Sequence, residues 1–235
     1  MAKKNKEISS SNLIKVKPIT EGQKSVFETW KQGKNQFLFG CAGTGKTFIS
    51  LYLAMQDVLD LKTKYDKVIL VRSLIPTREI GFLPGDEEDK AALYQVPYQN
   101  MVKFMFEQPN EQAFNMLYDR LKNQGSLYFL STSFLRGLTF HNSIIIVDEC
   151  QNLNFHELDT ITTRVGQDSK IVFCGDFSQT DLLKQNEKNG LHDFLRILME
   201  MQEFNCVEFN IGDIVRSGFV RNYLIQKTKL GMGME

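Results

Sequence analysis

The stretch "FLFGCAGTGKTFIS", residues 37 to 50, constrains this chain more than any other. An apolar run leads into a loop holding Gly40, Gly43 and Gly45, followed by Lys46, Thr47 and an amphipathic run. This matches G-x-x-x-x-G-K-[ST] in the strand–loop–helix setting that gives the pattern its meaning. Glycines let the backbone curl until successive N–H groups face one point, and the start of the following helix adds partial positive charge there. In this reading Gly40, Cys41, Ala42, Gly43, Thr44 and Gly45 form a phosphate cradle. Lys46 then holds β- and γ-phosphates, and Thr47 offers a hydroxyl to Mg²⁺. The competing reading is a glycine-rich turn that happens to contain a lysine, and the flanking strand and helix weigh against it.

The rest of the chain supplies a sheet for such a loop. Short apolar, β-rich runs recur at "QFLF", "KVILV" (67 to 71), "SLYFL" (126 to 130), "IIIV" (144 to 147), "KIVFC" (170 to 174) and "CVEF" (206 to 209). Helical stretches are expected over Gln23 to Lys31 and Thr47 to Leu61. Strands apolar on both faces, spaced for helical crossovers, predict an α/β fold: a mostly parallel sheet with helices on both faces. Residues 1 to 17 read as a flexible, basic and serine-rich lead, and 18 to 235 as one domain with an inserted loop-and-helix region near 75 to 125.

Composition narrows the partners. Lys+Arg number 28 and Asp+Glu 28, so bulk charge gives no reason to cling to a polyanion, and any such site must be a local patch. Cys41, Cys150, Cys174 and Cys206 lie far apart without a CxxC spacing, which reads as reduced thiols in a cytoplasmic protein. No apolar stretch reaches the length of a membrane span, so no membrane partner is expected.

A second motif bears on what happens to a bound nucleotide. "IIIVDECQN" ends an apolar strand in Asp148 and Glu149, at the sheet edge where open α/β sheets bind ligands. Asp148 is the candidate Mg²⁺ residue, and Glu149 is placed to polarise a water for in-line attack. An acidic helix start after a strand is the bland alternative. "FCGDFSQTD" follows, a strand running into a Gly-Asp turn with Gln179 beyond it, whose amide suits a γ-phosphate and an attacking water.

At these residues the chain resembles the PhoH-like ATPases, a family related to superfamily 1 helicases with a single RecA-like P-loop domain. The resemblance is carried by "GCAGTGKT", "REIGFLPGD", "LRGLTF", "VDECQN", "TRVG", "GDFSQTD" and "DIVR", in the family's order from about Pro18 to Arg221. It implies a three-layer P-loop NTPase fold, ATP and Mg²⁺ as ligands, and ATP hydrolysis. It also implies a helicase-like link to single-stranded RNA or DNA and a homo-oligomeric ring, with a hexamer among the options. By analogy with superfamily 1, Gln23 is a candidate reader of the adenine edge, against a plain surface glutamine. Arg216 of "DIVR" is a candidate arginine finger, in its own or a neighbouring subunit, against an ion pair with Asp213. Arg164 is a similar candidate, while Arg72, Arg78 and Arg136 are candidate contacts to a nucleic-acid backbone or solvated loop residues. Phe82 and Phe140 stand between base stacking and holding loops to the body, and His141, His156 and His192 read as structural.

Two functional classes follow. One is an Mg²⁺-dependent ATPase coupled to single-stranded nucleic acid, RNA favoured, in a helicase-like multimer. The other is a nucleotide-switched regulatory or assembly ATPase without nucleic acid. A small-molecule kinase ranks third, because Glu149 and Gln179 are suited to activating water rather than excluding it.

Overall fold

A computed structural model of this chain describes residues 7–72, 87–132, 135, 137–176 and 190–230. Among them six strands form one sheet: β1 (Asn35–Gly40), β2 (Lys67–Arg72), β3 (Leu127–Ser131), β4 (Ser143–Val147), β5 (Lys170–Gly175) and β6 (Phe204–Phe209). Their order is β3-β2-β4-β5-β1-β6, and every pairing is parallel. Each apolar run picked out in the sequence is one of these strands. Among the described residues, the helices around them are α1 (Glu21–Trp30), α2 (Lys46–Leu59), α3 (Glu87–Phe106), α4 (Glu111–Asn123), α5 (Phe155–Thr162), α6 (Leu191–Glu200) and α7 (Gly218–Lys229).

Strand alternation sorts the core into two halves. Leu38, Leu70, Ile144, Ile146 and Val172 point to one face, against Val26 of α1, Leu51 and Met55 of α2, Val102 of α3 and Leu121 of α4. Phe37, Ile69, Ile145, Ile171 and Phe173 point to the other, against Leu158 and Ile161 of α5 and Phe194 and Leu198 of α6. Covering both faces explains why β4 and β5 are buried along their whole lengths, as parallel sheets require. The result is the expected three-layer α/β P-loop fold.

Helix starts are set by side chains. Thr20 accepts a hydrogen bond from the Gln23 amide at 3.3 Å, so α1 begins at Glu21 rather than at the expected Gln23. Asn154 and Glu157 form a reciprocal capping box that fixes α5 shortly after β4.

One expectation is revised, and two open alternatives are decided. Much of the lead expected to be flexible is packed: Ile8 and Leu13 are buried, and the Ile14 amide donates to the Met105 carbonyl at 2.9 Å. Tyr52 of α2 donates its hydroxyl to the Ile14 carbonyl at 3.0 Å and accepts from the Val16 amide at 3.2 Å. Apolar residues at 8, 13, 14 and 16 within a polar run make this a strap across α2 and α3. Phe140 is 8% exposed and belongs to the core beside α5, so it holds its loop to the body and offers no face to a base. The Asp213–Arg216 ion pair also gives way. The Asp213 carboxylate instead accepts from the Gly22 amide at 2.9 Å and the Asn210 amide at 2.8 Å, bracing α1 against the turn after β6.

Candidate nucleotide-binding site

Strand order decides which turns meet. In the sheet β5 lies between β1 and β4, and Phe37, Phe173, Val147 and Val71 stand side by side in register across β1, β5, β4 and β2. The turns leaving these strands at the carboxyl edge therefore converge: the glycine loop after β1, Asp176 after β5, Asp148 and Glu149 after β4, and Arg72 at the end of β2. They line one cleft of about 720 Å³.

The loop itself is dictated by close approach. Gly40 has φ 120°, and a Cβ there would lie 2.1 Å from the Phe209 carbonyl oxygen of β6, so no side chain fits. Gly43 has φ 74°, and a Cβ there would press on Arg216 and on Leu224 of α7, each at 3.0 Å. Cys41 and Ala42 are half-buried, Thr44 is fully buried, and Gly45 caps α2, whose amino terminus faces the cleft. Lys46, 5% exposed, points its ammonium back into the loop. It donates to the Cys41 carbonyl at 2.7 Å, lies 3.3 Å from Thr44 Oγ1 and 3.4 Å from the Gly40 carbonyl, and pairs with the Asp176 carboxylate at 2.7 Å.

Asp148 is 8% exposed and held at both oxygens. Thr47 donates to Oδ1 at 2.6 Å, and Tyr98 of α3 donates to Oδ2 at 2.7 Å. Burial pushes the Asp148 pKa up, opposed by these two hydroxyls and by Arg72. The Thr47 hydroxyl and the Asp148 carboxylate are hard oxygen donors side by side at the mouth of the phosphate loop. That set fits Mg²⁺, which takes one or two protein oxygens and keeps several waters.

Glu149 lies next along the chain in the left-handed region, φ 53° and ψ 42°, a conformation that costs a side-chain-bearing residue roughly 1–2 kcal/mol. Burial, then the charges of Asp148 and Asp176, push its pKa up, which moves a carboxylate toward the range of a working general base. Gln151 Nε2 donates to Glu149 Oε2 at 2.5 Å, while its Oε1 accepts from the Asp176 amide at 3.1 Å.

The remaining candidates divide. Gln23 is 5% exposed, so the surface alternative fails; it lines the cleft, donates to the Thr44 carbonyl at 3.1 Å and accepts from the Ile19 amide at 2.9 Å. Arg216 lines the cleft of its own chain beside Gly43. Arg72 also lines the cleft, its guanidinium 5.6 Å from the Tyr94 ring centre, which sets it among the carboxylates rather than on an outer loop. Arg164 follows α5 and donates back to the Thr160 carbonyl at 3.4 Å. Its own carbonyl accepts from Phe140 shortly before β4 begins, which puts it at the amino edge of the sheet, opposite the cleft. Gln179, Arg136, Arg78 and Phe82 lie outside the described residues.

Sequence reasoning misses three residues of this site: Asp176 and Tyr98, which line the cleft, and Gln151, which bonds to Glu149 and to the Asp176 amide. The Gly-Asp turn after β5 is a visible signal for the first, and adjacency to Asp148 and Glu149 is one for the second. Nothing in the local sequence singles out Tyr98, which reaches Asp148 from the inserted helix.

Comparison with known proteins agrees with this geometry. The family model described as PhoH-like protein matches residues 15–226. A PhoH-like protein of Bacillus subtilis is 30% identical over 208 residues, covering 88% of this chain and 61% of its own. A PhoH-like protein of Synechocystis is 33% identical over 186 residues, 79% of this chain and 54% of its own. Protein PhoH of Escherichia coli is 32% identical over 190 residues, 80% and 51%. This chain thus spans about half to three-fifths of the length of these relatives. In fold it is similar to the large terminase of a thermophilic bacteriophage, with a TM-score of 0.51 at 12% identity, covering 90% of this chain and 50% of the terminase. Among the described residues no helix is long and apolar enough to cross a membrane. With the family model matching nearly the whole chain and the phosphate loop, Asp148 and Glu149 gathered at one sheet edge, this chain belongs to the PhoH-like protein family.

Proposed function

We propose that this chain is an Mg²⁺-dependent ATPase whose hydrolysis is coupled to single-stranded nucleic acid, RNA favoured, within a multimer. One observation carries the catalytic half: Lys46, Thr47, Asp148 and Glu149 converge on a single cleft at the amino terminus of α2. In that cleft the loop amides and Lys46 bind the phosphates, and Gln23 lies where its remaining N–H and lone pair suit a base edge. Thr47 and Asp148 would hold Mg²⁺, which when bound neutralises phosphate charge as it builds. Glu149, ionised, accepts the proton of the attacking water, and Arg216 stabilises charge on the transferred group from within the same chain. Tyr98 fixes the rotamer of Asp148 throughout.

The nucleic-acid half is supported by a local patch of the kind that balanced total charge demands. Residues 214 to 230 contain Arg216, Arg221, Lys227 and Lys229 and no acid. On α7 Phe219 and Tyr223 are 82% and 56% exposed, with ring centroids 6.4 Å apart. Exposed aromatics between cations suit stacked bases on a phosphate backbone. The inner side of the same helix meets the phosphate loop through Leu224 at Gly43, so a strand on α7 would be felt at the nucleotide.

The test is Glu149→Gln with ATP titration and turnover measured together. ATP affinity is expected to stay within a few-fold while hydrolysis falls by about a hundredfold or more, the scale of a lost general base. Unchanged turnover removes Glu149 from the chemistry. Turnover measured with and without single-stranded RNA and DNA separates the two classes, because a purely nucleotide-switched ATPase shows no stimulation by either.

A further inference from the structure

Lys46 has three N–H donors, and its position accounts for all of them. Two kinds of acceptor share it: the carbonyl and hydroxyl oxygens of the loop at Cys41, Gly40 and Thr44, and the carboxylate of Asp176 at 2.7 Å. A phosphate that takes this ammonium must displace one of them. The loop oxygens belong to the cradle and cannot leave without unwinding it. The Asp176 side chain is 38% exposed and lies just past the end of β5, so it can swing into water. It is also the one anion of the set, and an incoming phosphate repels it.

The backbone at Asp176 is tied to the candidate base. The Asp176 amide donates to Gln151 Oε1 at 3.1 Å, and the other end of the same side chain donates to Glu149 Oε2 at 2.5 Å. One glutamine therefore spans the distance between the counter-ion of Lys46 and the carboxylate that would activate water.

We propose that Asp176 is a built-in substitute for the γ-phosphate, holding Lys46 until a triphosphate displaces it, and that Gln151 passes this displacement to Glu149 as its positioning residue. The proposal rests on reading the cleft as an ATP site. It makes the nucleotide-free site self-neutralised: the buried ammonium already has a carboxylate partner, which removes the cost of an unpaired charge in the loop. It also ties the release of the base to arrival of the third phosphate.

The experiment is calorimetric titration of the full chain with ATP in EDTA, where no divalent cation is present, for wild type, Asp176→Asn and Gln151→Leu. Asp176→Asn is expected to bind ATP about fivefold more tightly, the scale of one partly exposed charge pair. Adenosine monophosphate, which has no phosphate to compete for Lys46, is expected to bind both proteins equally. Gln151→Leu is expected to keep wild-type ATP affinity and to lose turnover with Mg²⁺, a change in kcat without one in binding. Unchanged or weaker ATP binding by Asp176→Asn overturns the substitution role, and so does equal tightening toward the monophosphate. Full turnover in Gln151→Leu overturns the relay. If wild type hydrolyses ATP and Asp176→Asn does not tighten, only this proposal falls. If wild type binds no ATP at all, the ATPase reading falls with it.

Discussion

Lys170 is a charge placed where charge is expensive. It opens β5 with 1% of its surface exposed, its ammonium 4.0 Å from the centre of the Trp30 ring and 3.2 Å from the Trp30 carbonyl. Burial lowers its pKa to about 8 from 10.5, with the Asp57 charge working in the opposite direction. Between those two values the unfolded chain binds more protons than the folded one, so stability rises with pH across the window. Below pH 8 the full penalty of about 3 kcal/mol applies, and by pH 10.5 it has gone. Lys170→Met removes the titration while keeping the length of the side chain. The urea stability of wild type relative to Lys170→Met is expected to climb from about pH 7 to about pH 10; a constant difference would show that the ammonium is not desolvated as the structure has it.

At the scale of elements, α7 and the strap of residues 8 to 16 do what the sheet alone cannot. The sheet brings loops together, but these two pieces form walls around them. Val16 and Lys17 line the cleft, as do Val215 and Arg216, and α7 follows Arg216 and meets the phosphate loop at Gly43. The outer side of α7 is expected to be where a strand stacks. Replacing both Phe219 and Tyr223 with alanine should weaken binding of labelled single-stranded RNA, read by fluorescence anisotropy, by about tenfold or more, since one stacked base is worth about 1–3 kcal/mol. RNA binding equal to wild type would assign the exposed face of α7 to another occupant, a second copy of the chain being the first to examine by sedimentation. α3 is the third such element. Through Tyr98 it connects the inserted region to Asp148, a link across 50 residues of sequence.

For the whole molecule the question is whether one cleft needs a second chain. Arg216 reaches the phosphate loop of its own chain, and the Val215 amide donates to the Gly43 carbonyl at 3.1 Å, fixing the approach. Mixing Arg216→Ala protein with Lys46→Ala protein is therefore expected to restore no ATPase activity at any ratio. Recovery at intermediate ratios would move the arginine's action to the neighbouring subunit. How legible this arrangement is from sequence follows from the range of its contacts. The strands and the phosphate loop are local patterns, alternations and glycine spacings that a short window holds, and all six runs and the loop can be read directly. Asp148 and Glu149 end a strand and so can be read too. What bonds to them cannot: Thr47 and Asp148 are 101 residues apart, and a tyrosine in mid-helix carries no mark of the aspartate it will meet. The strap escapes for the opposite reason. Its four apolar residues are too few to overcome the polar composition around them, and only the groove between α2 and α3 gives them a place.

That strap gives the amino-terminal stretch a bearing on biochemistry done with this protein. Residue 8 is anchored by a hydrogen bond to Gln124, and by residue 16 the chain is already at the wall of the nucleotide cleft. A fusion partner or affinity handle joined upstream pulls on the same thread that shapes the pocket, and shortening the chain as far as residue 17 unpicks one side of it. A trimmed version is a different protein to assay rather than a tidier copy of the same one.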